Sequence, residues 1–186
     1  MRFYAVAKQP RHFNHFYPAV PVVIGVEARG RVNFMPAVWN LGLSFDPPLF
    51  GVGVSPKRFT HGLLEEASAF GVTFHPFEQA GLVQRLGSLS GREVDKVAAF
   101  GLEVVRGRAL DVPLLDGFYA AYELEKTDAL ATGDHTLFVG RVRGIWEDPD
   151  AFAGETLNPV RVRALLYYGR YRYGHPAPEV RELGEK

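Results

Sequence analysis

The chain contains no cysteine. This excludes disulfides, iron–sulfur clusters, thiol catalysis and any zinc site with cysteine ligands. It also lacks a net charge, with 21 basic residues against 21 acidic ones. No overall basic field therefore draws it to nucleic acid or a membrane surface, and neither partner is expected. No stretch approaches the ~20 apolar residues of a membrane span. The opening MRFYAVAKQPRHF has no apolar core behind a basic start, so no signal peptide and a cytoplasmic location are expected. A G-x-S-x-G elbow, a G-x-G-x-x-G after a strand and an H-E-x-x-H helix are all missing from the sequence. That removes the usual signatures of serine hydrolases, Rossmann nicotinamide sites and zinc proteases. His12 and His15 form an H-x-x-H pair, with His61, His75 and His175 elsewhere. No carboxylate accompanies them, and no metal site is expected.

What is present describes a soluble globular chain. Its 186 residues, 47% hydrophobic and 23% charged, suit one domain over 1–186 that buries roughly 70% of its unfolded surface. Arginine outnumbers lysine 16 to 5, and Asn, Gln and Met are few, a composition that leans towards heat-adapted proteins.

Strands punctuated by Gly and Pro dominate the pattern. Residues 20–28 are β-branched and apolar, Gly30 supplies a turn, and VNFMPAVW returns, so 20–39 reads as a hairpin. Pro36 cannot donate to a central ladder and belongs at an edge or bulge. LFGVGVS (49–55) reads as a strand, and helical spacing follows over 60–69, 76–87 and 92–100. LEVVRG, GFYAAYELEKTDAL and HTLFVGRVRGIWE then return to strands, before an aromatic, arginine-rich end. The expectation is a mainly β, α+β fold: an antiparallel closed or half-closed barrel with a few peripheral helices.

Two adjoining segments carry chemistry. In SPKRFTHG (55–62), Thr60 suits an N-cap, with Phe59 and Leu64 as a hydrophobic staple. The first amides, near His61 and Gly62, would point outward at the positive end of the helix dipole. Ser55, Lys57, Arg58 and Thr60 converge on the same spot, and the arginine fork matches phosphate oxygens. Most capped helices nevertheless bind nothing. In 33–45, Asn33 and Asn40 offer polar edges while Met35, Ala37 and Trp39 offer an apolar face, as a flat heteroaromatic ring requires. A simple core role for Trp39 is the competing reading. SFDPPLFGVGVS joins the two segments directly.

The ordered pattern N-x-M-x-x-x-W-x(4)-S-F-D-P-P-L, V-S-P-x-R-F-T-H, S-G-R-E-V-D-K (90–96) and G-D-H-T-L-F-V-G-R-V (133–142) resembles the flavin reductase-like FMN-binding family. The resemblance covers about 18–171 and is nearer to the flavoredoxin-like branch. It implies a homodimeric FMN-binding split β-barrel. FMN (or FAD) would lie along Asn33, Met35, Ala37, Val38, Trp39 and Asn40, with its phosphate at Ser55, Arg58, Thr60 and His61. Relatives commonly carry Thr after the Met; Pro36 stands here, so a contact at that place must come from backbone or neighbours.

The resemblance also implies a role for His135 beside the flavin or an incoming nicotinamide; the alternative is a histidine that closes the turn after Gly133-Asp134. Lys96 is a weaker candidate for offsetting anionic charge, as its surroundings read more readily as a solvated helix face. The implied activity is an NAD(P)H-dependent flavin reductase that supplies an electron acceptor or a partner monooxygenase. The alternatives are a flavoredoxin-like electron carrier and a barrel binding module without catalysis.

Overall fold

The structure is a computed structural model that describes residues 13–180. His12 and the opening segment up to it lie outside the described residues. The run VVIGVEA forms β1 (Val22–Ala28), and β2 (Arg31–Ala37) returns beside it, with Val22 opposite Ala37 and Ala28 opposite Arg31. Arg29 and Gly30 between them both have positive φ, at 54° and 67°, as a two-residue hairpin loop demands. Pro36 sits on β2, an edge of the main sheet, as expected from its missing N–H. The double-proline bend joins β3 (Asn40–Phe45) to β4 (Pro48–Val54).

Helix α1 (Phe59–Glu66) ends sooner than its spacing predicts. Residues Ala69–Phe74, AFGVTF, form β5, a strand that the sequence pattern did not reveal. The run is short and apolar and lies between two helical patterns, so its period is ambiguous. Its place is central: the main sheet runs β2-β1-β5-β8-β9-β4-β3, all antiparallel, with β8 (Ala120–Thr132) and β9 (His135–Glu147) as its long arms. Helix α2 (Ala80–Ser88) follows a 3₁₀ turn at Phe77–Gln79. Of the third predicted helix only α3 (Lys96–Phe100) forms. Asp95 caps it by accepting from the Val97 and Ala98 amides, and Gly101, at φ 59°, ends it. Three small hairpins complete the chain: β6–β7 (Val104–Arg106, Pro113–Leu115), β10–β11 (Phe152–Ala153, Thr156–Leu157) and β12–β13 (Leu166–Gly169, Arg172–Gly174).

The strand order forces a barrel. β2 and β3 occupy opposite edges of the sheet, yet only Val38 and Trp39 separate them in the chain. The sheet must curl until its two edges meet. Asn40 holds the crossing, since its Nδ2 donates to the carbonyls of Val20, Ala37 and Val38. The Gly53 amide bonds the Trp39 carbonyl at 2.7 Å. Inside the barrel lie Ile24, Val52, Phe70, Val72 and Phe138, closed by Leu63 and Leu64 of α1. Glu65 and Glu66 face water, as the helical spacing predicts. A second cluster, including Phe34, Val83, Leu86 and Leu165, packs α2 against the outside of β1 and β2.

Two titratable groups are buried beside the sheet, and the first ties the outer layer to it. Glu123 on β8 is 1% exposed. Its carboxylate accepts from the amides of Arg108, Ala109 and Leu110 and from Trp146 Nε1, at 2.7–2.9 Å. Gly107 and Gly144 leave it room, since a Cβ on either would approach it within 3 Å. His75, at the end of β5, is 1% exposed, with Nε2 2.8 Å from Thr73 Oγ1 and Nδ1 unpartnered. Burial pushes its pKa down to about 4; Gln79, the Gly117 carbonyl and the Asp116 charge pull weakly upward.

Candidate functional site

Where the two sheet edges approach, a cavity of about 750 Å³ opens, within the ~300–1,000 Å³ range of small-molecule sites. One wall comes from the end of β2 and the crossing: Met35, Pro36, Ala37, Val38 and Trp39. The second comes from the β4–α1 turn: Ser55, Lys57, Arg58, Phe59 and Thr60. The third is the end of α2 and the link that follows it, residues 87–93, with Lys96 behind it. His135, at the start of β9, closes the Trp39 side, and Tyr167, Tyr171 and Tyr173 of the last hairpin close the rim.

Its charge is uneven although the chain is neutral. Lys57, Arg58, Arg92 and Lys96 line it against the single carboxylate of Glu93, a local excess of four minus one, or +3. This favours an anionic ligand. Lys96 carries the largest perturbation. The sequence pattern suggested a solvated residue; in the structure it is 3% exposed, and its Nζ donates to the carbonyls of Phe34 (2.9 Å) and Leu86 (2.6 Å). It thereby satisfies an open carbonyl of edge strand β2 and one near the C-terminus of α2, where a cation also suits the dipole. Burial, and then the Arg58 charge, lower its pKa to about 8. Its third N–H remains for the cavity that it lines.

The sequence-derived residues divide into two groups. Met35, Ala37, Val38, Trp39, Ser55, Arg58, Thr60, Lys96 and His135 all border the one cavity. Asn33, Asn40 and His61 do not line it, and each is engaged elsewhere. Asn33 is buried, its Nδ2 donating to Thr60 Oγ1 at 2.8 Å and so joining β2 to α1. Asn40 fastens the barrel crossing described above. His61, on the buried face of α1, has Nε2 2.8 Å from Thr136 Oγ1 and its ring against Phe138 at 5.2 Å.

Thr60 is not the N-cap. The helix starts one residue earlier, with Arg58 at the cap position, and the Thr60 hydroxyl is committed to Asn33. The His61 amide donates to the Arg58 carbonyl, which moves the free first-turn amides towards Phe59 and Thr60.

Trp39 is 36% exposed and is a wall residue rather than core. Its ring lies 4.2 Å from that of His135, tilted by 40°, and His135 Nδ1 is 2.8 Å from Asp134 Oδ1. Residues 87–92 are absent from the predicted binding set, although S-G-R-E-V-D-K (90–96) belongs to the pattern that carries the resemblance. Gly91 lies against Asn33 so closely that a Cβ there would meet Asn33 Oδ1 at 2.2 Å. Arg31 fixes the same link by donating to the Gly91 carbonyl at 2.6 Å. The glycines and serines of LGSLSGR were the available signal.

An apolar slot beside a cationic cradle suits a flat ring that carries a phosphate. The family model for the flavin reductase like domain matches residues 13–175. The chain belongs to the flavin reductase-like family. An FMN-binding protein from Thermus thermophilus, solved with bound 1-cyclohex-2-enone, is 51% identical with a TM-score of 0.88, covering 98% of this chain and 100% of that one. A structure of FMN-binding protein from the same organism with bound p-hydroxybenzaldehyde is 52% identical, with a TM-score of 0.87 over 98% and 100% of the two chains. An uncharacterized protein of Aeropyrum pernix is 36% identical over 89% of this chain, but the match spans only 62% of that longer relative. The antiparallel barrel expected from the sequence is thus the fold of this family, and flavoredoxin from Methanosarcina acetivorans shares it at 21% identity (TM-score 0.85, covering 96% of this chain and 95% of that one). Among the described residues, no helix is long and apolar enough to cross a membrane.

Proposed function

We propose that the chain binds FMN in this cavity and acts as an NAD(P)H-dependent flavin oxidoreductase. One observation carries the reading: the apolar wall Met35–Trp39 and the cationic cradle Ser55–Thr60 face a single cavity, so the ring and phosphate of one molecule have adjoining places. The cavity's residues fit the group chemically. Met35, Ala37 and Trp39 would bear on the ring, Ser55, Arg58 and the first amides of α1 on the phosphate, and Lys96 on whatever anionic charge the ligand places near it. FAD, which shares the ring and first phosphate, is the alternative cofactor.

Bound flavin supplies the electron chemistry; the protein supplies binding, orientation and shelter from water. Asp134 holds His135 Nδ1, which leaves Nε2 to hydrogen-bond a ring edge or a carboxamide. The enone and the aromatic aldehyde bound by the Thermus relatives support a cavity that admits a second flat molecule, NADH or NADPH in this reading. Electrons would pass to free flavin, a partner monooxygenase or another acceptor. A homodimer belongs to this reading, supported by Leu41, Leu43 and fully exposed Phe45, which form an exposed apolar row on edge strand β3, a feature that marks interaction surfaces when it is contiguous. The flavoredoxin-like carrier is the second reading. Steady NAD(P)H oxidation that scales with added free flavin supports the reductase, and purified protein with no affinity for FMN overturns both.

Two predictions address the cavity directly. Replacing Arg58 with Ala should weaken FMN binding by roughly 1.5–3 kcal/mol, the usual worth of a charged hydrogen bond. Fluorescence titration measures this, and an unchanged Kd refutes the phosphate cradle. The second concerns pH. Lys96 loses its proton as pH rises through about 8, whereas the phosphate's second ionisation, near pH ~6, is complete by then. FMN affinity should therefore fall as pH goes from 7 to 9, by about tenfold if one charge-assisted bond is lost. The Lys96→Met protein should show no such slope; a flat wild-type profile would remove Lys96 from the binding machinery.

A further inference from the structure

The link that follows α2 is fastened at its middle and open at its tip. Gly91 is the fastened point: it is buried, and a Cβ there would approach Asn33 Oδ1 at 2.2 Å and Phe59 Cδ1 at 2.6 Å. A side chain at this position would push the link away from β2 and the first turn of α1. The Gly91 carbonyl accepts from Arg31 Nη2 at 2.6 Å, and the same guanidinium lies 5.0 Å over the Phe59 ring. Arg31 is thereby held between an aromatic face and a carbonyl, and it ties the link to β2 and α1 at once. Arg31 itself is not among the cavity's residues.

Arg92 is the open tip. Ser90 shapes the turn before it: its Oγ accepts from the Arg92 amide at 3.2 Å, and its carbonyl accepts from the Glu93 and Val94 amides at 3.1 Å. The Arg92 side chain reaches towards the β4–α1 turn, where Nη1 comes within 3.5 Å of the Lys57 carbonyl, the outer limit of a hydrogen bond. Among the described residues, Arg92 forms no ion pair with a carboxylate. Its guanidinium donors are thus almost uncommitted, and it borders the same cavity as Arg58. Two arginines therefore reach one cavity from different walls. A phosphate monoester, with three strong acceptor oxygens and a charge of about −1.5 to −2 at pH 7, has room for both.

We propose that the link is the second jaw of the phosphate site: Arg92 binds the phosphate, and Arg31 is the positioning residue that keeps Arg92 in place by anchoring Gly91. Together they select phosphorylated flavin over riboflavin. The assignment rests on FMN occupying the main cavity. It adds a wall to that reading, which places the phosphate on Ser55, Arg58 and the first amides of α1 alone.

Fluorescence titration of the full-length, flavin-free protein with FMN and with riboflavin tests the assignment. Riboflavin has the same ring and no phosphate, so it reports the ring end of the cavity alone. Arg92→Ala should weaken FMN at least about tenfold, as for loss of one charge-assisted hydrogen bond, and riboflavin less than about twofold. Arg31→Ala should weaken FMN by about fivefold or more and riboflavin less than about twofold, because an unanchored link spends only part of its time in the binding position. A merely structural role for Arg31 would weaken the two flavins alike. The double variant should bind FMN within about twofold of Arg92→Ala, since Arg31 acts through Arg92 rather than beside it. Four results overturn the second jaw while leaving FMN binding intact: a wild type that does not prefer FMN to riboflavin, an unchanged FMN affinity in either single variant, equal losses of both flavins in Arg31→Ala, or losses that multiply in the double variant. A wild-type protein that binds neither flavin overturns the cofactor reading and this inference with it.

Discussion

Replacing Glu123 with Ala should lower folding stability by about 4 kcal/mol or more, among the largest effects that one side chain can have. The carboxylate is the acceptor for three backbone amides and one indole N–H, all at 2.7–2.9 Å. Truncation leaves those donors buried without partners, and each orphaned group costs about 1–3 kcal/mol. It also opens a void between β8 and the 107–111 turn, lined by Gly107 and Gly144, which have no side chains to collapse into it. Gln should recover only part of the loss, because its NH₂ must face two of the same donors. Urea unfolding measures the change. A loss below about 1 kcal/mol for Glu123→Ala would mean that the turn re-forms its hydrogen bonds with water. Flavin affinity at low temperature should change far less, since Glu123 is not among the cavity's residues.

The second large effect is acid sensitivity from His75. Its folded pKa is about 4, against 6.5 for an ordinary histidine, chiefly because burial disfavours the imidazolium. Between pH 6.5 and 4 the unfolded chain therefore binds a proton that the folded chain refuses. Stability falls as pH falls through that window, by about 3 kcal/mol in all. Above pH 6.5 the histidine contributes no slope. Glu78, held below the usual carboxylate range by its own backbone amide and then by Arg163, and Asp111, held there by Arg106, lose their contributions only at lower pH. The interval from 6.5 to 5 thus isolates His75. Denaturant midpoints at pH 7, 6 and 5 should decline in the wild type and remain nearly level in His75→Gln. Equal slopes in the two proteins would assign the acid sensitivity to other groups.

These two residues also mark the limit of what the amino-acid order reveals. The β1–β2 hairpin, the edge position of Pro36 and the buried stripe of α1 follow from local spacing and turn chemistry, and they emerge as expected. The alternation in YELEK presents Glu123 as a solvated strand position. Only the 107–111 turn, brought in from a distant part of the chain, makes it a buried anchor. Lys96 misleads in the same way: in GREVDK it looks like a surface charge, but the carbonyls that it satisfies are 62 and 10 residues away. Strand β5 was hidden because six mostly apolar residues between helices carry no decisive period. At the site, residue types identified both cavity walls, yet chemistry alone could not separate ring-facing polar groups from fasteners of the barrel. Asn33 and Asn40 have the right groups for a ligand edge, and both are used inside the protein.

Pro36 and Lys96 together have a consequence for growth of the sheet beyond one molecule. On the open side of β2, Pro36 has no amide to offer, and the Phe34 carbonyl is already taken by the Lys96 ammonium. A foreign strand arriving at this margin finds one donor missing at Pro36 and one acceptor already used at Phe34. Joining of copies margin to margin is thereby disfavoured, because a continuous ribbon needs both ends of the sheet to be receptive. The groups that shape the ligand cavity thus also make this margin a poorer template for a further strand.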